Sequence, residues 1–562
     1  MKDASLLEKK WRILHTDSSK TILERLLANR GLNSEDDITN FLNPSFSKMH
    51  DPYLMEDMSK AVQRIKKAIT EGERIIIYGD YDVDGVTGTA ILVLILQELG
   101  ANISYRLPNR QGDGYGLNPA TITEIKAVDT KLLITVDCGI SCIQEVELAR
   151  AVGIDVIITD HHTIPSEIPK AFAILHPKMP NCGYPFTELT GAGVALKLAQ
   201  ALIKEFKPVS EHESQIRRFS DLACLGTIAD LGPLVGENRI IVKEGLNQIR
   251  HTEWDGLTYL LEVCGVDPKE KIHTNHIGFR LAPRINAAGR LESAYYALKL
   301  FLTKGPVAKL YAERLEKINK ERQRLTEMIL EEAEQIIQKQ IQREKILIAY
   351  HPSWHSGLVG IIAGKLSGRH GRPVIIMEER NDTYIGSSRG PEYYNLIEAL
   401  QNSSKYLESY GGHLQAAGFT LAKENRDLFI HSMQVHAREF LSNSDQTPEL
   451  VIDTELTGKD LNLGLVDQVD TIRPYGMKNE RPTFIIRGVT LHNLKRVGHD
   501  KNHLLGRLRI DQADFKFIGF SIGDKINQIG DFTRADVVCH LEKNYYNGNA
   551  SIELQLLDLK FV

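Results

Sequence analysis

RIIIYGDYDVDG, residues 74–85, is the stretch on which the fold of this 562-residue chain turns. An apolar run, 75–78, leads into a cluster of acid at Asp80, Asp82 and Asp84. Similar runs recur as ANISYRL (101–107), KLLITVD (131–137), DVIITDHH (155–162) and AFAILHP (171–177), with helical stretches between them. Short apolar runs alternating with helices predict an α/β domain on a largely parallel, doubly wound sheet. Ligands of such sheets sit beyond the carboxyl ends of the strands. Those ends carry acid or imidazole each time: Asp80, Asp82 and Asp84, then Asp137, then Asp160, His161 and His162. Asp230, in GTIADLGPL, follows an apolar helical segment directly.

Taken singly, each of these residues has an ordinary explanation as a helix N-cap or a satisfied histidine. Taken together they are harder to dismiss. Aspartates at i, i+2 and i+4 line one face of an extended turn and repel one another unless cations lie between them. A set rich in Asp and His and free of Cys suits Mg²⁺ or Mn²⁺, and imidazole tilts the choice toward Mn²⁺. An EF-hand loop starting at Asp80 would need glutamate at its twelfth position, where Ile91 stands. Two ions bridged by a carboxylate activate a shared water and stabilise an in-line phosphoryl displacement, so metal-dependent phosphoester hydrolysis is the expected chemistry.

Working outward, residues 1–45 read as a polar, helical lead-in, and the aromatic and proline-rich stretch after them as an extended arm. The α/β domain is expected over 46–305. No glycine or proline occurs between Pro306 and Pro352, and Tyr311, Leu315, Ile318, Leu325, Ile329, Ala333 and Ile336 repeat at helical spacing, with Arg322 the main interruption. This predicts a long, solvated connecting helix over 306–345. A smaller α/β domain follows over 346–447. From 448 to 562 the period shortens to two, which predicts an antiparallel barrel of OB type.

With 68 basic and 73 acidic residues, a net charge of −5 and 42% hydrophobic residues, the chain is neither a disordered tail protein nor a strongly basic packaging protein. No apolar stretch is long enough to span a membrane, and the N-terminus lacks the apolar core of a signal peptide, so a cytoplasmic protein is expected. The six cysteines form no C-x2-C pair and read as ordinary buried thiols in a reducing compartment.

The triplet Asp160-His161-His162, with GDYDVDG, VDCG, IADLGPL, RINAAGRL (284–291) and YGGHLQAAGF (410–419), resembles the DHH phosphoesterase superfamily. With the barrel segment, nearly the whole chain is similar to the RecJ family within it, single-strand-specific 5′ to 3′ DNA exonucleases. The resemblance implies one metal held by Asp82 and Asp137 with help from Asp80, and another by Asp84, Asp137, His161 and Asp230. Asp137 would be the bridge. It further implies that His162 faces the scissile phosphate as an electrophile or acid while Asp160 orients the histidines. Related phosphatases carry a histidine near the start of the first motif, so Asp80 is either a direct ligand or a supporting group.

Phosphates call for cations, and the arginine fork matches two phosphate oxygens. Candidates are Arg110, Arg284 and Arg290 flanking Asn286 in RINAAGR, and Arg389 in GSSRG. Ser387, Arg389, Gly412 and His413 look like a phosphate clamp in light of the resemblance. Between Arg473 and Lys516, ten Lys and Arg face four Asp and Glu, with Phe484, Phe515, His492, His499 and His503 interleaved. Basic strands carrying rings suit a single-strand groove. Single-stranded DNA is therefore the expected partner, with a single-strand-binding protein and a helicase as protein partners; the chain is expected to act as a monomer and to have no membrane partner.

Overall fold

Strand β1 (Lys10–Ile13) precedes the apolar runs. The five runs themselves form β2 (Arg74–Gly79), β3 (Ile103–Arg106), β4 (Thr130–Val136), β5 (Asp155–Thr159) and β6 (Ala173–Leu175). All pair in parallel, in the order β3-β2-β4-β5-β6. Ile75, Ile77, Leu132, Leu133 and Ile134 are buried because helices cover both faces, which is why these strands read as continuous apolar runs. The chain reverses direction across the sheet between β2 and β4, so the crevice beyond their carboxyl ends receives Asp80 and Asp137.

This is a computed structural model, and it describes residues 5–14, 17, 19–109, 116–180, 182–441, 447–546 and 549–562. They divide into two units, one of Phe46–Gly232 with Ile240–Gln446, the other of Met1–Ser45, Pro233–Arg239 and Thr447–Val562.

In the first unit a second, mixed sheet is made by β7 (Leu347–His351), β8 (Val374–Arg380), β9 (Thr383–Arg389), β10 (Ser409–His413) and β11 (Ala416–Ala422), ordered β10-β11-β9-β8-β7. The helix Gly305–Gln338 joins the two sheets, but it is not the solvated connector expected from its charge. Ala308, Ala312, Leu315, Ile318, Ile329, Ala333 and Ile337 are buried along it. It packs against the helices Asp255–Val263, Ala282–Leu291 and Tyr295–Leu302 and, further on, against Ser356–His370. It is a packed spine, because its apolar stripe is continuous enough to be covered along its length.

The second unit holds β12 (Glu449–Ile452), β13 (Thr454–Leu456), β14 (Phe484–Val497), β15 (His503–Ile510), β16 (Ala513–Gly519), β17 (Thr533–Tyr546) and β18 (Asn549–Phe561). β14, β15, β16, β18 and β17 close into a barrel, with β14 pairing with both β15 and β17. Register shifts between Ile486 and Val489 and between His492 and Lys495 bend β14 so that it can do so. The pair β16–β18 is parallel, so the barrel is not wholly antiparallel.

Residues 1–45 are not a separate lead-in. β1 lies parallel to β12, and Leu26, Leu27 and Phe41 share one apolar core with Leu456, Phe484 and Leu508 of the barrel unit. The stretch expected as an extended arm coils instead into short turns at Phe46–Lys48 and Pro52–Leu54 before the helix Met58–Thr70 begins.

Candidate metal centre

The turn after β2 is tighter than an extended loop. Asp80 directly follows the strand, Asp82 caps the helix Val83–Glu98 by accepting from the Gly85 N–H at 3.0 Å, and Asp84 lies in the first helical turn. Helical winding therefore spreads the three carboxylates instead of lining them along one face. Asp84, buried, accepts from the N–H groups of Gly191 (2.6 Å) and Ala192 (3.0 Å), at the positive end of the helix Gly191–Phe206.

Asp137 follows β4 in a left-handed conformation, φ 61°, and its N–H donates to Thr159 O at 2.9 Å. A non-glycine residue held there marks a position over-determined by its surroundings. The helix start comes so close that a Cβ on Gly191 would lie 2.5 Å from Asp137 Oδ1, which is why glycine stands at 191.

His161 Nε2 faces three carboxylates: Asp137 Oδ1 at 3.1 Å, Asp230 Oδ2 at 3.7 Å and Asp84 Oδ2 at 3.8 Å. It is buried and makes no hydrogen bond with any of them. Possible ligand atoms of Asp84, His161 and Asp230 lie within 4.8 Å of one another, and so do those of Asp80, Asp82 and Asp137. All six residues singled out as ligands are thus brought together, in two adjoining groups. Hard carboxylate oxygens with one imidazole and no thiolate suit Mn²⁺ or Mg²⁺. The neighbouring Cys138 thiol is pushed up in pKa by burial and by Asp160, so it is no competing thiolate.

The electrostatics agree with a site that calls for cations. Burial, and then the charges of Asp230 and Asp82, push the Asp84 carboxyl well above its ordinary value. Burial and then Asp84 do the same to Asp137, and burial with Asp82 pushes Asp230 up to about 7. His161 is drawn down to about 3, by burial first and then by His162, which keeps its ring neutral and fit to bind a metal.

Asp160 stands apart from this group. Its Oδ2 accepts from the Ile140 N–H at 2.9 Å, and its Oδ1 accepts from the His161 N–H at 2.7 Å and from His162 Nδ1 at 2.8 Å. Burial opposes its charge, but the His162 hydrogen bond and these N–H groups hold it at about 2. Burial likewise opposes protonation of His162, yet Asp160 raises its pKa, and Nδ1 lies 3.9 Å from Asp137 Oδ1. His176, fully buried, donates from Nε2 to His162 O at 2.8 Å while its Nδ1 accepts from the Lys178 N–H at 3.1 Å. Neither His176 nor the Thr190–Gly191 helix start was a sequence candidate. The only signals were a histidine closing the run AFAILHP and a threonine before Gly-Ala-Gly.

On the second sheet, Arg389 pairs with Ala416, and Ala416 with His413, so Arg389 and His413 share one row; Ser387, Gly418 and Gly411 form the next. Both rows lie on one face of the sheet. Gly412 has φ 147°, and a Cβ there would meet the backbone of Ala416 and Ala417. A cavity of about 420 Å³ lies over this face, lined by Ser387, Gly411, Gly418, Tyr410, Arg380 and Tyr81. Tyr81 stands between Asp80 and Asp82, so the cavity reaches the metal loop.

The remaining arginines divide. Arg290 Nη1 donates to Gly357 O at 3.2 Å, and Arg389 Nη1 to Ser387 Oγ at 2.9 Å. Arg284 is engaged by Glu316 at 2.5 Å and by Arg280 O at 2.7 Å, which makes it a helix-to-helix clamp. Asn286 is half-buried and its carboxamide makes no hydrogen bond among the described residues. Arg110 lies outside the described residues.

The basic stretch of the barrel is also sorted by the fold. Phe484 is fully buried, so its ring is not offered to a ligand, and Phe515 is partly buried against the barrel core. Arg473, Arg481, Arg487, Arg507 and Lys516 are ion-paired with Asp470, Glu542, Glu455 and Asp536, Asp514 and Glu553. Lys478, Lys495, Arg496, Lys501 and Arg509 make no ion pair among the described residues. Among the described residues of the barrel, Phe520, Phe532 and Tyr545 have exposed rings, as does His499.

Known proteins show the same order of parts. The DHH family N-terminal domain matches residues 74–227, the DHHA1 domain 343–438 and the RecJ OB domain 452–558. The chain is 34% identical to the single-stranded-DNA-specific exonuclease RecJ of Bacillus subtilis over 563 residues, covering 98% of this chain and 70% of that protein. The crystal structure of RecJ from Thermus thermophilus in complex with Mn²⁺ superposes with a TM-score of 0.80 at 30% identity, covering 98% of this chain and 79% of that one. The Mg²⁺ complex of the same protein gives 0.74 at 28% identity, covering 98% and 78%. By sequence over nearly its whole length and by fold, the chain belongs to the RecJ family of the DHH phosphoesterases.

Proposed function

We infer that the chain is an exonuclease that uses Mn²⁺ or Mg²⁺ to hydrolyse phosphodiester bonds of single-stranded DNA, processively and from the 5′ end, in DNA repair and recombination. The observation that carries this reading is the ring of Asp84, Asp137 and Asp230 around the unbonded Nε2 of His161, beside Asp80 and Asp82. Asp80, Asp82 and Asp137 would hold one ion, and Asp84, Asp137, His161 and Asp230 the other. Two bound ions supply an activated water and charge stabilisation for the displaced oxygen.

The chain's own groups do the rest. Asp160 holds His162 upright and favours its protonated form against burial, so His162 is the group to neutralise charge on the phosphate or to hand a proton to the leaving oxygen. His176 and Lys178 tie down the backbone of His161 and His162. Ser387, Arg389, Gly412 and His413, with Asn286 and Arg290, would seat phosphates, and a 5′ phosphate held at a fixed reach from the metals would give end-specific cleavage. The bare floor of Gly411 and Gly418 lets a strand lie against the sheet. On the barrel, Lys495, Arg496 and Lys501, outside any ion pair among the described residues, and the exposed ring of Phe520 suit a polymer.

The family resemblance also supports a cytoplasmic monomer, supplied with single strands by a helicase and a single-strand-binding protein. Among the described residues no helix is long and apolar enough to cross a membrane.

Digestion of 5′- and 3′-labelled single- and double-stranded DNA with Mn²⁺, Mg²⁺ or EDTA tests the reading. Label should leave the 5′ end of single strands first, and EDTA should stop it. Release from the 3′ end, or hydrolysis that survives EDTA, would overturn it.

A further inference from the structure

The apolar stripe of the long helix is broken at Arg322. Its neighbours Ile318, Asn319, Thr326 and Ile329 are buried. Nε of Arg322 is out of contact with water and has no acceptor. The guanidinium makes one hydrogen bond, from Nη2 to Asn319 Oδ1 at 2.6 Å, and among the described residues no carboxylate pairs with it. Arg284, on the facing helix Ala282–Leu291, is neutralised by Glu316 and lies close enough to act on Arg322 as a like charge. Burial, and then that like charge, pull the Arg322 pKa down.

A guanidinium carries five N–H donors and no acceptor, and leaving it partly buried and unpaired is costly. A merely structural bond to Asn319 Oδ1 needs no charge, because a neutral carboxamide could supply the donor. A phosphate, with several acceptor oxygens, would match the donors of the guanidinium that Asn319 does not engage. The facing helix also borders the metal loop: a Cβ on Gly289 would lie 2.8 Å from Tyr81 O. Asn286, whose carboxamide makes no hydrogen bond among the described residues, is one turn before Gly289 on the same face.

We propose that Arg322 binds a backbone phosphate of the DNA strand, on a helix outside all the motifs and in the part that motif reading gave to Arg284. The proposal rests on single-stranded DNA being the substrate.

Binding of a 3′-labelled oligothymidylate to the full chain, followed by fluorescence anisotropy in EDTA across a salt series, tests it with Arg322→Gln and Arg322→Lys. Gln keeps a donor for Asn319 but removes the charge. For R322Q we expect about tenfold weaker binding, roughly 1.4 kcal/mol, and a salt slope shallower by about 0.7. R322K should keep the wild-type slope. With Mn²⁺, R322Q should raise KM and leave kcat on saturating strand within about twofold. The melting temperature of R322Q should equal or exceed that of wild type, because an unpaired buried charge is removed. Wild-type affinity and slope in R322Q would overturn the proposal, as would weaker binding with an unchanged slope and a lowered melting temperature, the mark of a structural role. If the wild-type chain binds no single strand at all, it is the proposed function that fails.

Discussion

Gly191→Ala places one methyl group between the two halves of the metal centre. The new Cβ would sit 2.5 Å from both Cβ and Oδ1 of Asp137. Ordinary carbon contacts begin near 3.5 Å, so something must shift by about 1 Å. Asp137 has little freedom to yield, since its N–H is bonded to Thr159 O and its backbone is held at φ 61°. The helix cannot retreat without loosening the N–H groups of Gly191 and Ala192 from Asp84. Either way a carboxylate of the centre is displaced. Misplacement by about 1 Å costs on the order of 10²-fold in rate, or about 2.7 kcal/mol.

Folding should survive. Overpacking costs about 1–3 kcal/mol, and replacing a helical glycine by alanine returns up to about 1 kcal/mol. The assay compares Mn²⁺ affinity by calorimetry, release of 5′ label from single strands, and melting temperature. Gly193→Ala is the control: its Cβ would meet the Leu189 side chain at 3.2 Å and Thr190 Oγ1 at an ordinary 3.7 Å, touching no carboxylate of the centre, and activity should be retained. Wild-type Mn²⁺ affinity and rate in G191A, or an equal loss in G193A, would refute the packing argument.

His176→Leu removes the donor to His162 O and should lower activity by about 10- to 100-fold, measured as label release at saturating Mn²⁺. Mn²⁺ affinity should climb as pH rises through about 7, because Asp230, pushed up to about 7, must lose its proton to bind; calorimetry in buffers of different ionisation heat should detect the released protons. Asp221, fully buried under hydrogen bonds from Thr252 and Trp254, is raised by burial to about 7. The folded state then holds a proton that the unfolded state releases near pH 4, so stability falls as pH rises from about 4 to 7, and Asp221→Asn should gain about 2–4 kcal/mol on wild type between pH 5 and 8 in melting experiments. Lys495→Glu with Lys501→Glu should weaken binding of long strands several-fold and flatten its salt dependence, whereas reversal of Lys516, already paired with Glu553, should do less; equal effects in an anisotropy titration would remove the distinction.

The strands of both sheets and the barrel were legible because burial writes itself into local periodicity: Ile75–Ile77 and Leu132–Ile134 are apolar throughout since both faces are covered. The metal ligands were legible for a related reason, as parallel strands bring their carboxyl ends to one edge whatever the loops do. Sequence spacing did not reveal what holds those ligands. The N–H groups of Gly191 and Ala192 reach Asp84 across more than a hundred residues, and a helix start meeting a strand end has no local signature. The barrel's charges show the same limit. Lys516 with Glu553 is a pair set by strand register, and Arg487 meets Asp536 at the bulge between β14 and β17, so a count of cations along the chain overstated the free charge.

The N-terminal 45 residues were misread for a stronger version of that reason, and the error changes how the barrel should be tested. β1 pairs with a strand more than four hundred residues away, and neither partner's pattern names the other. Among the described residues no carboxylate pairs with the buried Arg239, whose guanidinium is bonded to Phe41 O, Ile472 O and Arg473 O and lies 3.7 Å from the centroid of the Phe41 ring. Burial draws its pKa down to about 9. Deleting 448–562 would therefore strip the carbonyl partners from this cation and uncover Leu26, Leu27 and Phe41. Lost activity in such a truncation would report misfolding as readily as lost DNA contact. Exposed Phe520, and Lys495 and Lys501, which make no ion pair among the described residues, can be substituted without touching that core, so a loss on long strands with melting temperature unchanged is the result that would assign strand binding to the barrel.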